Sequence, residues 1–393
     1  MTGVLMLLAS FASASALEEE EAVRLALAGD PEVAAAAAEV TRVAAETEAG
    51  RAWEPPRLRF AGVRSDRVFS DDADPPWARA SIGLLWTPPR PGLRAPARAA
   101  DDARLEAARR EEAAVRDDVS REVRVAHRAA RALDALLTLQ DEEIAVRRGR
   151  HAWSELQVAR GLATRADALR RRVEVLEAEE TREGLVARRD SHARRVASRV
   201  GLSLQAPLTL AGAPGPCPVG PDAHEGVGDA VVAARARAAE AVARLHKVRA
   251  EGRPGIDDVL VSWVTGDADD AAHGTLRADL VVPTGTAARV RAAQAEADAE
   301  ALRADAVARD ALRTALDARD ALARWARTAV RAGEAADVLA AQQAELARAV
   351  VAGVIDEDAV AEVSLARIRH ARRRVEALAA CGEAAALVAP ASR

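Results

Sequence analysis

The chain has 393 residues, 50% of them hydrophobic and 30% charged, with a formal net charge of -5. That balance excludes a disordered tail, and the acidic excess argues against nucleic acid as the main partner, because phosphate binding needs a concentrated positive field. Only 2% of the residues are aromatic (six Trp, three Phe, no Tyr), so the apolar content is mostly Ala, Leu and Val, the mix of long helices packed through small side chains.

Residues Val4 to Ala16 form a short apolar run that ends in Ala14-Ser15-Ala16, an A-x-A cleavage pattern. The reading is a signal peptide over 1–16, although no Lys or Arg precedes it. No Cys follows the cleavage site, so a lipid anchor at the mature N-terminus has no acceptor. Beyond this run no apolar stretch is long enough for a transmembrane helix.

The remaining chain reads as two copies of one unit. Asp30-Pro31 and Asp229-Ala230 open similar Ala/Val-rich helices. Strand-like runs follow in each copy. Ala80, Ile82, Leu84 and Trp86 alternate with polar or small residues, as do Val259, Val261 and Trp263, and Leu276, Ala278, Leu280 and Val282. Leu58 and Phe60 alternate with Arg57 and Arg59. Period-two runs of this kind are the pattern of tilted membrane-spanning strands. Trp53, Phe60, Phe69, Trp77, Trp86 and Trp263 lie in or beside them, as interfacial aromatic belts do. Each copy supplies one hairpin, and four strands cannot close a barrel alone, so closure in lipid calls for several chains.

After Pro88-Pro89-Arg90-Pro91-Gly92, and again after Pro283-Thr284-Gly285, long helical tracts begin, with 193 positions between the two glycines. Gly161 and Gly353 interrupt the tracts 192 positions apart. Second helices over Ala163–Val200 and Asp356–Ala380 then make antiparallel hairpins. The narrow Ala-rich apolar stripe resembles a coiled-coil seam. The units are read as 17–202 and 226–381, joined by a Pro/Gly-rich linker over 203–225 and followed by a tail over 382–393.

No catalytic motif is present: no H-E-x-x-H, P-loop, G-x-S-x-G or C-x-x-C. The expectation is a non-enzyme with no cofactor and no metal site, and the seven His are scattered. Cys217 and Cys381 do not fix a pairing by themselves, and independent thiols are the reading.

The duplicated order, the strand-turn-helix junctions PPRPG and PTG, and the Gly at each hairpin end resemble the TolC-type outer-membrane efflux protein family over nearly the whole mature chain. The resemblance implies a mainly α fold with a small β part. Long antiparallel α-helical hairpins would form an α-barrel across the periplasm, and three chains of four strands would form a 12-stranded transmembrane β-barrel. It implies a homotrimeric, passive channel in the bacterial outer membrane, partnered by a periplasmic adaptor (membrane fusion protein), an inner-membrane transporter and outer-membrane lipid. A periplasmic coiled-coil adaptor or scaffold is the alternative.

The resemblance assigns adaptor docking to Arg160, Gly161, Leu162, Ala163 and Thr164 at the first tip and to Ala352, Gly353, Val354 and Ile355 at the second. The first tip departs from the family pattern in carrying Arg160 where an apolar residue is usual, and the second lacks the family's Tyr. Asp167 and Glu362, past the two glycines, would line the pore constriction. Ile82, Leu84, Trp86, Leu280 and Val282 would face lipid.

Overall fold

The computed structural model describes residues 16–51, 55–63, 79–88, 92–205, 208–212, 217, 228–265, 273–281, 283–352 and 357–388. The signal segment 1–15 lies outside them. After helix α1 (Glu19–Gly29), one element order occurs twice. The first copy is α2 (Pro31–Arg51), β1 (Arg57–Val63), β2 (Arg79–Trp86), α3 (Arg94–Ala159) and α4 (Arg165–Val200). The second is α5 (Asp229–Glu251), β3 (Gly255–Thr265), β4 (His273–Val281), α6 (Thr286–Val351) and α7 (Glu357–Val388). Both α3 and α6 have 66 residues. The last helix, expected to stop near Ala380, runs on to Val388, because 381–388 adds only Gly382 as a weak breaker to an Ala-rich sequence.

The chain divides into two compact units. One holds 1–35, 113–229 and 309–393. Its core is built where Ala22, Val23 and Ala26 of α1 meet Val119, Val123, Ala126 and Ala130 of α3 and Val196 and Val200 of α4. Small side chains at four-residue steps let these helix backbones approach closely. The chain entering α1 is pinned on both sides: the Leu17 N–H donates to the Thr209 carbonyl at 2.9 Å, and the Ala211 N–H donates to the Leu17 carbonyl at 2.9 Å. His127 donates through Nε2 to the same Leu17 carbonyl at 3.0 Å. Asp30 is buried and accepts from the Glu32 N–H at 2.7 Å and from Arg199 at 3.1 Å. Further along, Leu133 and Leu136 of α3 pack with Leu185 of α4, and Val375 of α7 lies against them.

The expectation of independent thiols is corrected in this unit. Cys217 and Cys381 are joined by a disulfide across 164 positions, with Cα atoms 5.6 Å apart, a spacing the bond requires. The pairing was invisible locally because the two cysteines stand 164 positions apart in the sequence.

The other unit holds 36–112 and 230–308. Here α5 and α6 pack through Ala241, Leu245, Ala293 and Ala297, with Arg244 paired to Glu296 at 2.6 Å. The strands form one antiparallel sheet in the order β1-β2-β3-β4. Leu58 stands opposite Leu84, and Phe60 opposite Ile82. Ile82 in turn stands opposite Trp263, and Leu84 opposite Val261, which faces Leu276.

The disulfide gives a direct test. A cross-link closing so long a loop stabilises by about 2–4 kcal/mol. Cys217→Ser and Cys381→Ser should each lower the unfolding midpoint by a matching amount, and reductant should do the same to the wild type but not to either variant.

Candidate functional site

Two regions carry the residues singled out in the sequence. The first is the sheet. Alternation along each strand collects Leu58, Phe60, Ile82, Leu84, Trp86, Val259, Val261, Trp263, Leu276 and Ala278 in facing register positions. Phe60 is 71% exposed, Trp263 59% and Leu276 75%. Ile82 and Leu84 are exposed as well, and Trp86 is half-buried. Leu280 pairs with Ile256 in the backbone register, beside an irregularity between Ile256 and Asp258 that restores the alternation. Val282 lies outside the described residues. The intervening positions carry Arg57, Arg59, Gly83, Ser262 and Arg277. Arg277 donates to Asp279 at 3.0 Å. Gly83 is needed there: a Cβ would meet Leu260 Cδ1 at 3.0 Å, Ser262 Cβ at 3.1 Å and the Val261 carbonyl at 3.2 Å. A broad apolar face of this kind on exposed strands is a contact surface for lipid or protein rather than a wet one.

The second region is the α3–α4 turn. Gly161 has φ +73°, a conformation open to Gly at little cost. Its N–H donates to the Val158 carbonyl at 3.0 Å, and the Leu162 N–H donates to the Gln157 carbonyl at 2.8 Å, the paired bonds of a Schellman C-cap. Thr164 then caps α4. The Asp167 N–H donates to Thr164 Oγ1 at 3.3 Å, while the Thr164 N–H and hydroxyl donate to the Asp167 carboxylate at 3.2 and 2.6 Å. This reciprocal box satisfies donors at the helix start, and the Thr164 bonds hold the Asp167 carboxyl below the usual carboxylate range. Arg160, Leu162 and Thr164 are exposed and Ala163 is partly so. At the second turn Ala352 is exposed, and its N–H donates to the Arg348 carbonyl at 3.1 Å. Gly353, Val354 and Ile355 lie outside the described residues.

An ion-pair cluster that the sequence reading missed sits behind these turns. Arg150 of α3, only 7% exposed, binds Asp358 of α7 through two nitrogens at 2.6 and 2.9 Å. It also lies 3.6 Å from Glu362. Arg171 of α4 lies 3.7 Å from Asp358 and 3.1 Å from Glu174. The cluster therefore gathers Glu362 with Arg150 and Arg171, whereas Asp167 is engaged by Thr164. No local spacing announces a pair 208 positions apart. The Arg150 hydrogen bond, with the charges of Arg150 and Arg171, lowers the Asp358 pKa.

No described helix is long and apolar enough to cross a membrane, and among the described residues no group of three His, Cys, Asp or Glu is placed to hold a metal ion.

The cluster predicts an acid-sensitive clamp. A carboxyl whose folded pKa is depressed adds stability above its unfolded pKa, near 4, and loses it as pH falls through the folded value. Arg150→Met should cost about 1–3 kcal/mol, in line with hydrogen bonds to charged groups. Asp358→Asn should flatten the fall in stability below about pH 4, as read by unfolding midpoints across a pH series.

No protein-family model matches the sequence, and no curated protein matches it. Solved structures do match. The outer membrane protein VceC of Vibrio cholerae aligns with a TM-score of 0.74 and 15% identity over 94% of both chains. A membrane protein from Pseudomonas aeruginosa aligns with 0.73 and 16%, over 95% of this chain and 90% of that one. The MtrE outer membrane channel of Neisseria gonorrhoeae, in its open state, aligns with 0.72 and 14%, over 94% and 87%. The chain therefore has the TolC-type outer-membrane channel fold that its duplicated sequence order resembles.

Proposed function

We propose that this chain is the outer-membrane channel component of a multi-part efflux or type I secretion system, a passive exit duct from an inner-membrane pump. The observation that carries this reading is the four-stranded sheet with one apolar, exposed face. Within the chain β1 pairs with β2 and β4 with β3, which leaves two outer strand edges. In lipid every backbone group needs a partner, so edges must close on other strands. Three copies of a four-stranded sheet supply a closed barrel of the expected kind, and the fold supplies the helical duct. The channel then resides in the bacterial outer membrane and extends into the periplasm. A periplasmic adaptor docks at the α3–α4 and α6–α7 turns. The adaptor or scaffold alternative is less well supported: an adaptor has one central hairpin between other domains, whereas two whole copies of one unit fill this chain.

Ile82, Leu84, Trp86, Leu280 and Val282 face lipid in this reading. Arg at a lipid-facing midplane position costs about 2–4 kcal/mol. The pair Leu84→Arg and Leu276→Arg should abolish detergent-resistant trimers and insertion into lipid. Normal trimers from that double variant would overturn the barrel.

Asp167 and Glu362 line the constriction in the same reading, and rings of acids favour cation passage. Asp167→Asn retains a side chain able to pair with Thr164, so its effect on permeation is separable from the cap. Combined with Glu362→Gln it should lower cation selectivity and weaken block by multivalent cations in single-channel recordings. Unchanged selectivity and block would remove both acids from the pore.

A further inference from the structure

The α3–α4 turn carries a local excess of positive charge on a chain that is acidic as a whole. From Arg160 to Val173 there are five Arg and one acid, Asp167. That acid is engaged by Thr164, and Arg171 is engaged by Glu174 and Asp358. Arg160, Arg165, Arg170 and Arg172 remain exposed, and among the described residues none of them has an ion-pair partner. This concentration stands on a chain whose formal net charge is -5.

The same turn and the first part of α4 expose apolar side chains. Leu162 is 72% exposed, Leu169 58%, Val173 52% and Leu176 48%. Leu162 lies in the turn itself, and Leu169, Val173 and Leu176 follow on α4 at steps of four and three, one heptad. Heptad spacing on a helix face is what another helix packs into, and flanking charges choose the partner's sign. A membrane surface needs no heptad register.

We propose that the α3–α4 turn and the start of α4 are the docking surface for an acidic α-helical tip of a partner protein, with Leu169, Val173 and Leu176 as the seam, Leu162 at its end, and Arg160, Arg165, Arg170 and Arg172 as the charge selector. This rests on the reading of the turns as adaptor-docking sites and adds the partner's chemistry. Arg160, the departure from the family's apolar residue at this turn, becomes part of the selector.

The test uses the full-length chain in detergent and two designed helical hairpins, each with Leu at its seam and either Glu or Lys flanking it. Fluorescence anisotropy should show the Glu hairpin binding at least about tenfold tighter than the Lys hairpin at low salt, with the difference shrinking as salt screens exposed charges. In the combined variant R160E/R165E/R170E/R172E the preference should reverse, while the trimer and its conductance persist. Equal binding of both hairpins, or binding only to phosphatidylglycerol vesicles, would overturn the proposal and leave the channel reading intact. Loss of the trimer in the charge-reversed variant would assign the Arg cluster to contact between copies and overturn it too. Absence of trimers and conductance in the wild type would instead overturn the channel reading.

Discussion

A backbone N–H or C=O without a partner costs several kcal/mol in hydrocarbon, and the outer edges of β1 and β4 each present a row of them. In the proposed lipid setting, the apolar face formed by Phe60, Ile82, Leu84, Trp263 and Leu276 raises that cost, because it draws the sheet toward the environment in which open edges are least tolerable. One chain supplies the apolar face and not the closure. Strand register has to be specified tightly under this constraint, since a slip by one residue would turn Arg57, Arg59 and Arg277 outward. Gly83 contributes to that specification: the space beside it is already taken by Leu260 and Ser262.

The helical part solves a different problem with little apolar mass. Most buried side chains in α3 through α7 are Ala or Val, each of which removes only a small apolar area from water. Specificity comes instead from charged pairs that cross between helices. Arg199 links α4 to Glu122 of α3 and to Asp30 before α2, and Arg128 of α3 holds Glu19 of α1. Arg suits this work because its planar fork binds a carboxylate through two bonds at once. Such pairs add little where they are exposed. They fix register where one partner is buried, as with Asp30 and Arg150, since a slipped helix would strand a desolvated charge. The near-absence of Lys, with Lys247 alone, accords with pairs chosen for geometry.

Legibility followed the range of the signal. The strands, the duplication and the Gly161 turn were readable because alternation, constant offset and a single breaker are properties of adjacent residues. The Thr164-Arg165-Ala166-Asp167 box was equally local, yet Asp167 drew attention first as a pore acid because the resemblance placed acids past each Gly; its role at the helix start was overlooked. The Cys217–Cys381 bond and the Arg150–Asp358 pair could not be read, because each depends on how distant segments fold together. The length of α7 was underestimated because the tail was set to begin at 382, although the lone Gly382 costs a helix only about 1 kcal/mol relative to Ala.

The two halves of the duplication differ in charge where they turn. Around the first turn, 160–173 holds five Arg and one acid, whereas 349–358 around the second holds Asp356, Glu357 and Asp358 with no Arg or Lys. Identical turns would carry like charges, which repel wherever they approach one another. Opposite charges allow Asp358 to serve as the shared acceptor of Arg150 and Arg171, so that one carboxylate at the start of α7 is held by both helices of the first hairpin. Divergence between the copies is thus what converts two repeated hairpins into a tied pair. The same divergence leaves the first turn with more positive charge than its own chain neutralises, which gives the two turns different chemistry toward anything that meets them.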